Sequence, residues 1–161
     1  AHPARYALVE VVNIHDEALK FEPIYRIVET ADPCDLVAKF RALAENTCGD
    51  AAAQSFTVIT EGKSEVITVA KPALTLAVGT LQKFLDEYTA EHPDTVTDYI
   101  HGEDTLCRLA EKKGCVGFLF NGIEKSELFP AVENDGALPR KTFSMGHAED
   151  KRYYMECRKI K

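Results

Sequence analysis

"SFTVITEGKSEVITVA", residues 55–70, holds two apolar-rich runs joined by Glu61, Gly62 and Lys63. Glycine in the joint marks a β-hairpin. That reading decides the fold class. Parallel strands need a long crossover, whereas a hairpin ties two neighbours antiparallel. A hairpin at mid-chain, with helices and strands alternating after it, points to α+β rather than a doubly wound parallel sheet. We expect one domain over residues 1–161: a mixed β-sheet with about four helices packed on it.

Upstream, "ADPCDLVAKFRALAENTCG" (31–49) reads as a helix. Asp32 caps it, Pro33 suits its first position and Gly49 ends it. Leu36, Val37, Phe40, Leu43 and Ala44 fall on one stripe. "RYALVEVVNI" (5–14) is apolar on both faces and is expected as a central strand. "FEPIYRIVE" (21–29) is extended; Pro23 places it at an edge or makes its start irregular.

Downstream, "TLQKFLDEYTAEHP" (80–93) is a helix with Leu81, Phe84, Leu85 and Tyr88 as its core stripe. "TVTDYIH" (95–101) and "CVGFLF" (115–120) are strands around a short helix, "GEDTLCRLAEKKG" (102–114). "KSELFPAVENDG" (125–136) is a short helix with Pro130 near its first turn. "KRYYMECRKI" (151–160) alternates like a last strand.

The chain has 26 acidic and 19 basic side chains, a net charge of -7. That opposes nonspecific nucleic-acid binding, which needs a basic surface. The five cysteines are odd in number and lack a C-x-x-C pair. A disulfide framework and a cysteine zinc site are therefore not expected, and reduced thiols in the cytoplasm are. No apolar run is long enough for a membrane span. Neither G-x-G-x-x-G nor G-x-x-x-x-G-K-S/T occurs, so the common dinucleotide and triphosphate loops are absent. No histidine pair has H-x-x-x-H spacing, and no metal site is assigned; the cofactor is left open.

Three polar stretches carry groups able to bind or titrate. The first is "NIHDEALKFEPIYRIV" (13–28). His15 can transfer a proton or donate a hydrogen bond near neutral pH. Arg26 can clamp a carboxylate or phosphate through two parallel bonds. Asn13, Asp16, Glu22 and Tyr25 are further candidates. The plainer alternative is a solvated turn with Arg26 paired to Glu22. The second stretch is "DYIHGEDT" (98–105), where His101 ends a strand at a rim that often binds ligands. The third is "NDGALPRKTFSMG" (134–146). Arg140, Lys141 and Thr142 follow the stiff Pro139 and suit an anion such as phosphate. The alternative there is an exposed basic loop.

Taken in order, "YALVEVVNIHDEALKFEPIYRIV", "TDYIHGEDT", "VGFLF" and "GALPRKTF" resemble the C-terminal half of the domain-of-unknown-function 1015 family of bacteria and archaea. That family's H-D-x-x-L is matched by His15, Asp16 and Leu19. Its P-x-H-R is matched by Pro23 and Arg26, with Tyr25 where histidine is usual. Its P-x-K-S/T is matched by Pro139, Lys141 and Thr142. The chain departs from the family pattern at "SMGHAEDKRYYMECRKI".

The resemblance implies a C-terminal domain of a longer protein, partnered by a ParB-like N-terminal half. Relatives of such halves include nucleotide hydrolases and free-serine kinases. It implies a domain without turnover of its own, in a phosphotransferase-like or nucleotide-hydrolysing protein. The expected role is to help bind a phosphorylated small molecule or nucleotide, with Arg26, Arg140, Lys141 and Thr142 on the anion and His15 and His101 moving protons. The competing expectation is a non-enzymatic interaction or homodimerisation module.

Overall fold

The computed structural model describes residue 2, residue 9 and residues 11–147. Its element order is β1 (Phe21–Glu29), α1 (Pro33–Asn46), β2 (Gln54–Thr60), β3 (Lys63–Val69), α2 (Ala77–Glu91), β4 (Val96–His101), α3 (Glu103–Ala110), β5 (Cys115–Phe120), a 3-10 turn (Lys125–Glu127), α4 (Leu128–Asp135) and β6 (Phe143–Met145). The strands form a sheet ordered β3-β2-β5-β1-β4, and β6 pairs with the start of β1. The class is α+β. Every pairing among the described residues is antiparallel, so the sheet lies further from a doubly wound one than a mixed sheet would.

The hairpin forms as its turn chemistry dictates. Thr60 faces Lys63, leaving a two-residue loop of Glu61 at φ 50° and Gly62 at φ 75°. Two positive φ values make the turn whose twist matches paired strands. The first helix is capped by Asp32, whose side chain accepts from the Asp35 N–H at 2.9 Å. It ends at Asn46, before Gly49. Gly49 serves a close approach instead: a Cβ there would lie 2.1 Å from the Pro72 carbonyl oxygen.

Helices α1, α2 and α4 cover one sheet face, where Phe40 is fully buried among Phe56, Phe84 and Phe118 at ring distances of 5.0–5.3 Å. Burying one such ring contributes roughly 2–3 kcal/mol. Leu81, Phe84, Leu85 and Tyr88 are all buried, as their spacing predicts. The opposite face carries a smaller core of Ile27, Ile59, Leu106, Ala110 and Cys115 under α3.

Two expectations need correction. Strand β1 is interior, between β5 and β4, and not at an edge. Pro23 is tolerated because β4 and β5 pair with Ile24–Glu29, while Phe21–Pro23 pair with β6. The strand runs unbroken from Phe21 to Glu29, so its start is not irregular; only its partner changes after Pro23. Nor do residues 11–14 belong to any strand, and Val11 is 87% exposed. Two local turns take over there. The Asn13 side chain accepts from the His15 N–H and that of Asp16 from the Ala18 N–H. Short polar side chains offer the backbone such alternatives to a ladder. Residues 5–8 and 10 of the expected strand, and all of 151–160, lie outside the described residues.

Candidate functional site

A cleft of about 780 Å³ lies between the segment leading into β1 and the 3-10 turn with α4. That size falls in the usual range for small-molecule sites. His15, Lys20 and Glu22 stand on one wall; Lys125, Ser126 and Phe129 stand on the other. Phe21 adds a ring, stacked on Phe143 at 4.1 Å. Phe129 is 61% exposed, although it sits on a helix whose Ala131 is fully buried. The Lys125 ammonium donates to the Asp16 carbonyl and ties the two walls together.

Of the first polar stretch, then, His15 and Glu22 face this cleft. Asn13 and Asp16 build the turns that hold His15 in place. Glu22 also faces two imidazoles, His101 Nε2 at 3.8 Å and His147 Nδ1 at 3.3 Å. His101 comes beside it because Ile24 pairs with His101 across β1 and β4. So the first and second stretches meet at Glu22. Among the described residues no group of three or more His, Cys, Asp or Glu side chains is set to hold a metal ion.

The third stretch meets β1 differently. Arg26 is fully buried and not paired to Glu22. Its Nε donates to Gln82 Oε1 at 2.9 Å, Nη1 to the Ile24 carbonyl at 2.6 Å and the Lys141 carbonyl at 3.2 Å, and Nη2 to the Arg140 carbonyl at 3.0 Å. The guanidinium also lies 4.5 Å from the centre of the Tyr99 ring. Burial pushes its pKa down to about 10, against partial support from Tyr99, so it stays charged at neutral pH. These contacts make Arg26 a pin between the sheet, α2 and the 139–142 turn. Backbone carbonyls and the Gln82 side chain accept from its Nε, Nη1 and Nη2.

Arg140 reaches outward. It donates to the Tyr99 hydroxyl and to Asp86 Oδ1, the latter at 2.7 Å, and both partners raise its pKa. It lines a shallow groove beside α2 with Lys83 and Glu87, away from His15. Lys141 is exposed at φ 54°. Thr142 is buried and its hydroxyl donates to the Pro139 carbonyl at 2.6 Å, closing the turn. Tyr25 packs against both cores: it meets Phe120 of the larger one edge-on at 5.7 Å and also touches the smaller core under α3. Burial raises the pKa of its hydroxyl, and Glu103, Glu22 and Cys107 add to that.

The motif residues therefore gather around the first half of β1, but in two groups: His15, Glu22 and His101 at the cleft end, Arg26 with the 139–142 turn further along. Lys20, Phe21, Lys125 and Phe129 were not singled out in the sequence. An exposed phenylalanine on a short amphipathic helix is the one signal that could have flagged the far wall.

Comparison with known families supports the resemblance for the first of its four stretches, and the other three lie beyond the matched residues. The profile described as Protein of unknown function (DUF1015) matches residues 1–88, more than half of the chain. The chain belongs to that family. In this DUF1015 member the matched region ends within α2 and so takes in β1, Arg26 and its partner Gln82. No curated protein and no solved structure matches the chain. No helix among the described residues is long and apolar enough to cross a membrane.

Proposed function

We propose that this DUF1015 domain binds a phosphorylated small molecule of nucleotide type in the cleft between residues 14–22 and 123–129. The observation that carries the reading is the combination of groups in one cleft of about 780 Å³. Lys20, Lys125 and His15 suit a phosphate. Glu17, Glu22 and Glu124 suit the hydroxyls of a sugar. Phe21 and Phe129 offer ring faces to a base. In this reading Arg26 and Thr142 hold the neighbouring turn in place, Lys141 supplies positive potential from that turn, and Arg140 is held by Asp86 and Tyr99. His15 is the group placed to exchange a proton with the ligand; His101 would act only through Glu22.

The domain would work in the cytoplasm as the C-terminal part of a longer protein, with a ParB-like half contributing the reacting groups. Three carboxylates beside two lysines suit a site that orients a ligand more than one that neutralises a polyphosphate.

Calorimetric titration with AMP, ADP, ribose 5-phosphate and phosphoserine tests this. Binding of AMP, weakened about tenfold by Lys20→Ala through loss of one charge-assisted bond, is the expected result. No heat with any of the four, or equal heat from the Lys20→Ala protein, overturns it.

A second reading, an interaction or homodimerisation module, is favoured by the sheet edges. Among the described residues β3 and β4 end the sheet, and Val66 and Val96 on them are 67% and 60% exposed. Open edges of this kind can take another strand. Light scattering that reads one chain per particle at all concentrations excludes it.

A further inference from the structure

Three carboxylates line the cleft between residues 14–22 and 123–129, and the fold holds them differently. Glu17 is exposed in the turn that follows His15. Glu124 is engaged at the start of the 3-10 turn. Its side chain accepts from the Glu127 N–H, and the Glu127 side chain accepts from the Glu124 N–H at 2.8 Å. Glu22 is the one set in regular structure, on β1 opposite Ser144 of β6.

Glu22 is also held from outside the cleft. His101 Nε2 stands 3.8 Å from its Oε2 and His147 Nδ1 stands 3.3 Å from its Oε1, and neither histidine lines the cleft. The Glu22 side chain keeps 26% of its surface exposed. A carboxylate accepts at about four positions. His101 is beyond hydrogen-bond length, so Oε2 keeps its acceptor positions for another donor. The spacing to the nearest cation is fixed too. The Gly146 N–H donates to the Lys20 carbonyl at 2.9 Å, which carries the β6–β1 pairing back to Lys20. Lys20 and Glu22 are therefore alternate residues of one extended segment, with Cα atoms about 7 Å apart. A phosphate on Lys20 and a group on Glu22 are thus separated by roughly one sugar ring.

We infer, resting on the nucleotide reading of this same cleft, that Glu22 recognises a 2′,3′-cis-diol, so that the site takes ribonucleotides in preference to deoxyribonucleotides. Two adjacent hydroxyls donate one to each carboxylate oxygen, as the paired N–H groups of a guanidinium do. Hydrogen bonds to an ionised acceptor are about twice as strong as neutral ones. Removing either hydroxyl leaves one oxygen of a half-buried carboxylate without its donor. His101 and His147 are positioning residues: they fix the plane of the carboxylate and do not touch the ligand.

Calorimetric titration of the intact chain with AMP and with its 2′-deoxy and 3′-deoxy analogues tests this. AMP should bind about tenfold more tightly than either analogue. An amide presents one acceptor where a carboxylate presents two, so in Glu22→Gln the three affinities should agree within about twofold. In His101→Ala/His147→Ala the preference should fall to about threefold while the affinity for the deoxy analogues stays unchanged. Melting temperatures check that both variants are folded. Equal binding of AMP and both analogues by the unaltered chain overturns the diol site and leaves the nucleotide reading standing. So does a loss with only one analogue, or a tenfold preference retained by folded Glu22→Gln. A preference untouched in the double histidine variant overturns the role of the imidazoles. No binding of AMP or its analogues overturns the nucleotide reading itself, and the diol site with it.

Discussion

Replacing Arg26 by methionine keeps most of the side-chain volume and removes every polar contact of the guanidinium. Four bonds of 3.2 Å or less disappear, to Gln82, Ile24, Arg140 and Lys141, together with a longer one to the Tyr25 carbonyl at 3.5 Å and the contact on Tyr99. At about 1.5 kcal/mol for each charge-assisted bond the gross loss is about 6 kcal/mol. Two terms offset it. A buried guanidinium carries a desolvation cost that methionine lacks. The Arg140 and Lys141 carbonyls belong to exposed residues and can turn to water. Taking these to recover about half leaves a net loss of about 3 kcal/mol.

For a domain of this length that corresponds to a melting temperature lower by about 6–12 °C. Urea unfolding at neutral pH measures the loss directly. Native-state hydrogen exchange adds a local signature: amides of β6 should lose protection, because Arg26 ties the turn before it to the sheet. Arg26→Lys keeps a charge but cannot span four acceptors, and should fall within about 1 kcal/mol of the methionine variant. A loss below about 1 kcal/mol in Arg26→Met, or wild-type stability in Arg26→Lys, would refute the pin.

Two further predictions concern backbone geometry. Gly49→Ala puts a methyl group against the backbone of Pro72 and Ala73, which cannot rotate away, and should cost about 3 kcal/mol in urea unfolding. The neighbouring Asp50→Ala, at an exposed position, should stay within about 0.5 kcal/mol. Glu61→Asn places a residue that tolerates positive φ at the first turn position of the β2–β3 hairpin, and should raise stability by about 0.5–1 kcal/mol in the same assay.

What was legible in the sequence was local. The hairpin turn, the Asp32 cap and the α2 stripe depend on neighbours within a few residues, and all three stand in the structure. What was not legible depends on distant partners. Pro23 argues for an edge until a strand more than a hundred residues away supplies a partner for exactly the residues around it. Arg26 in a polar stretch looks solvated; only the fold shows that Gln82 and the carbonyls of residues 140 and 141 surround it. Residues 11–14 read as the end of a central strand, but the side chains of Asn13 and Asp16 close turns there instead. The far wall of the cleft was hidden for the same reason. Lys125 and Phe129 lie over a hundred residues from His15, and nothing in their spacing points toward it.

The most direct test of the proposed cleft is an amide NMR titration of the intact chain with AMP. Saturable shifts confined to His15, Lys20–Glu22 and Glu124–Phe129 are the predicted result. Shifts centred on the 139–142 turn, or none at saturating ligand, would contradict it.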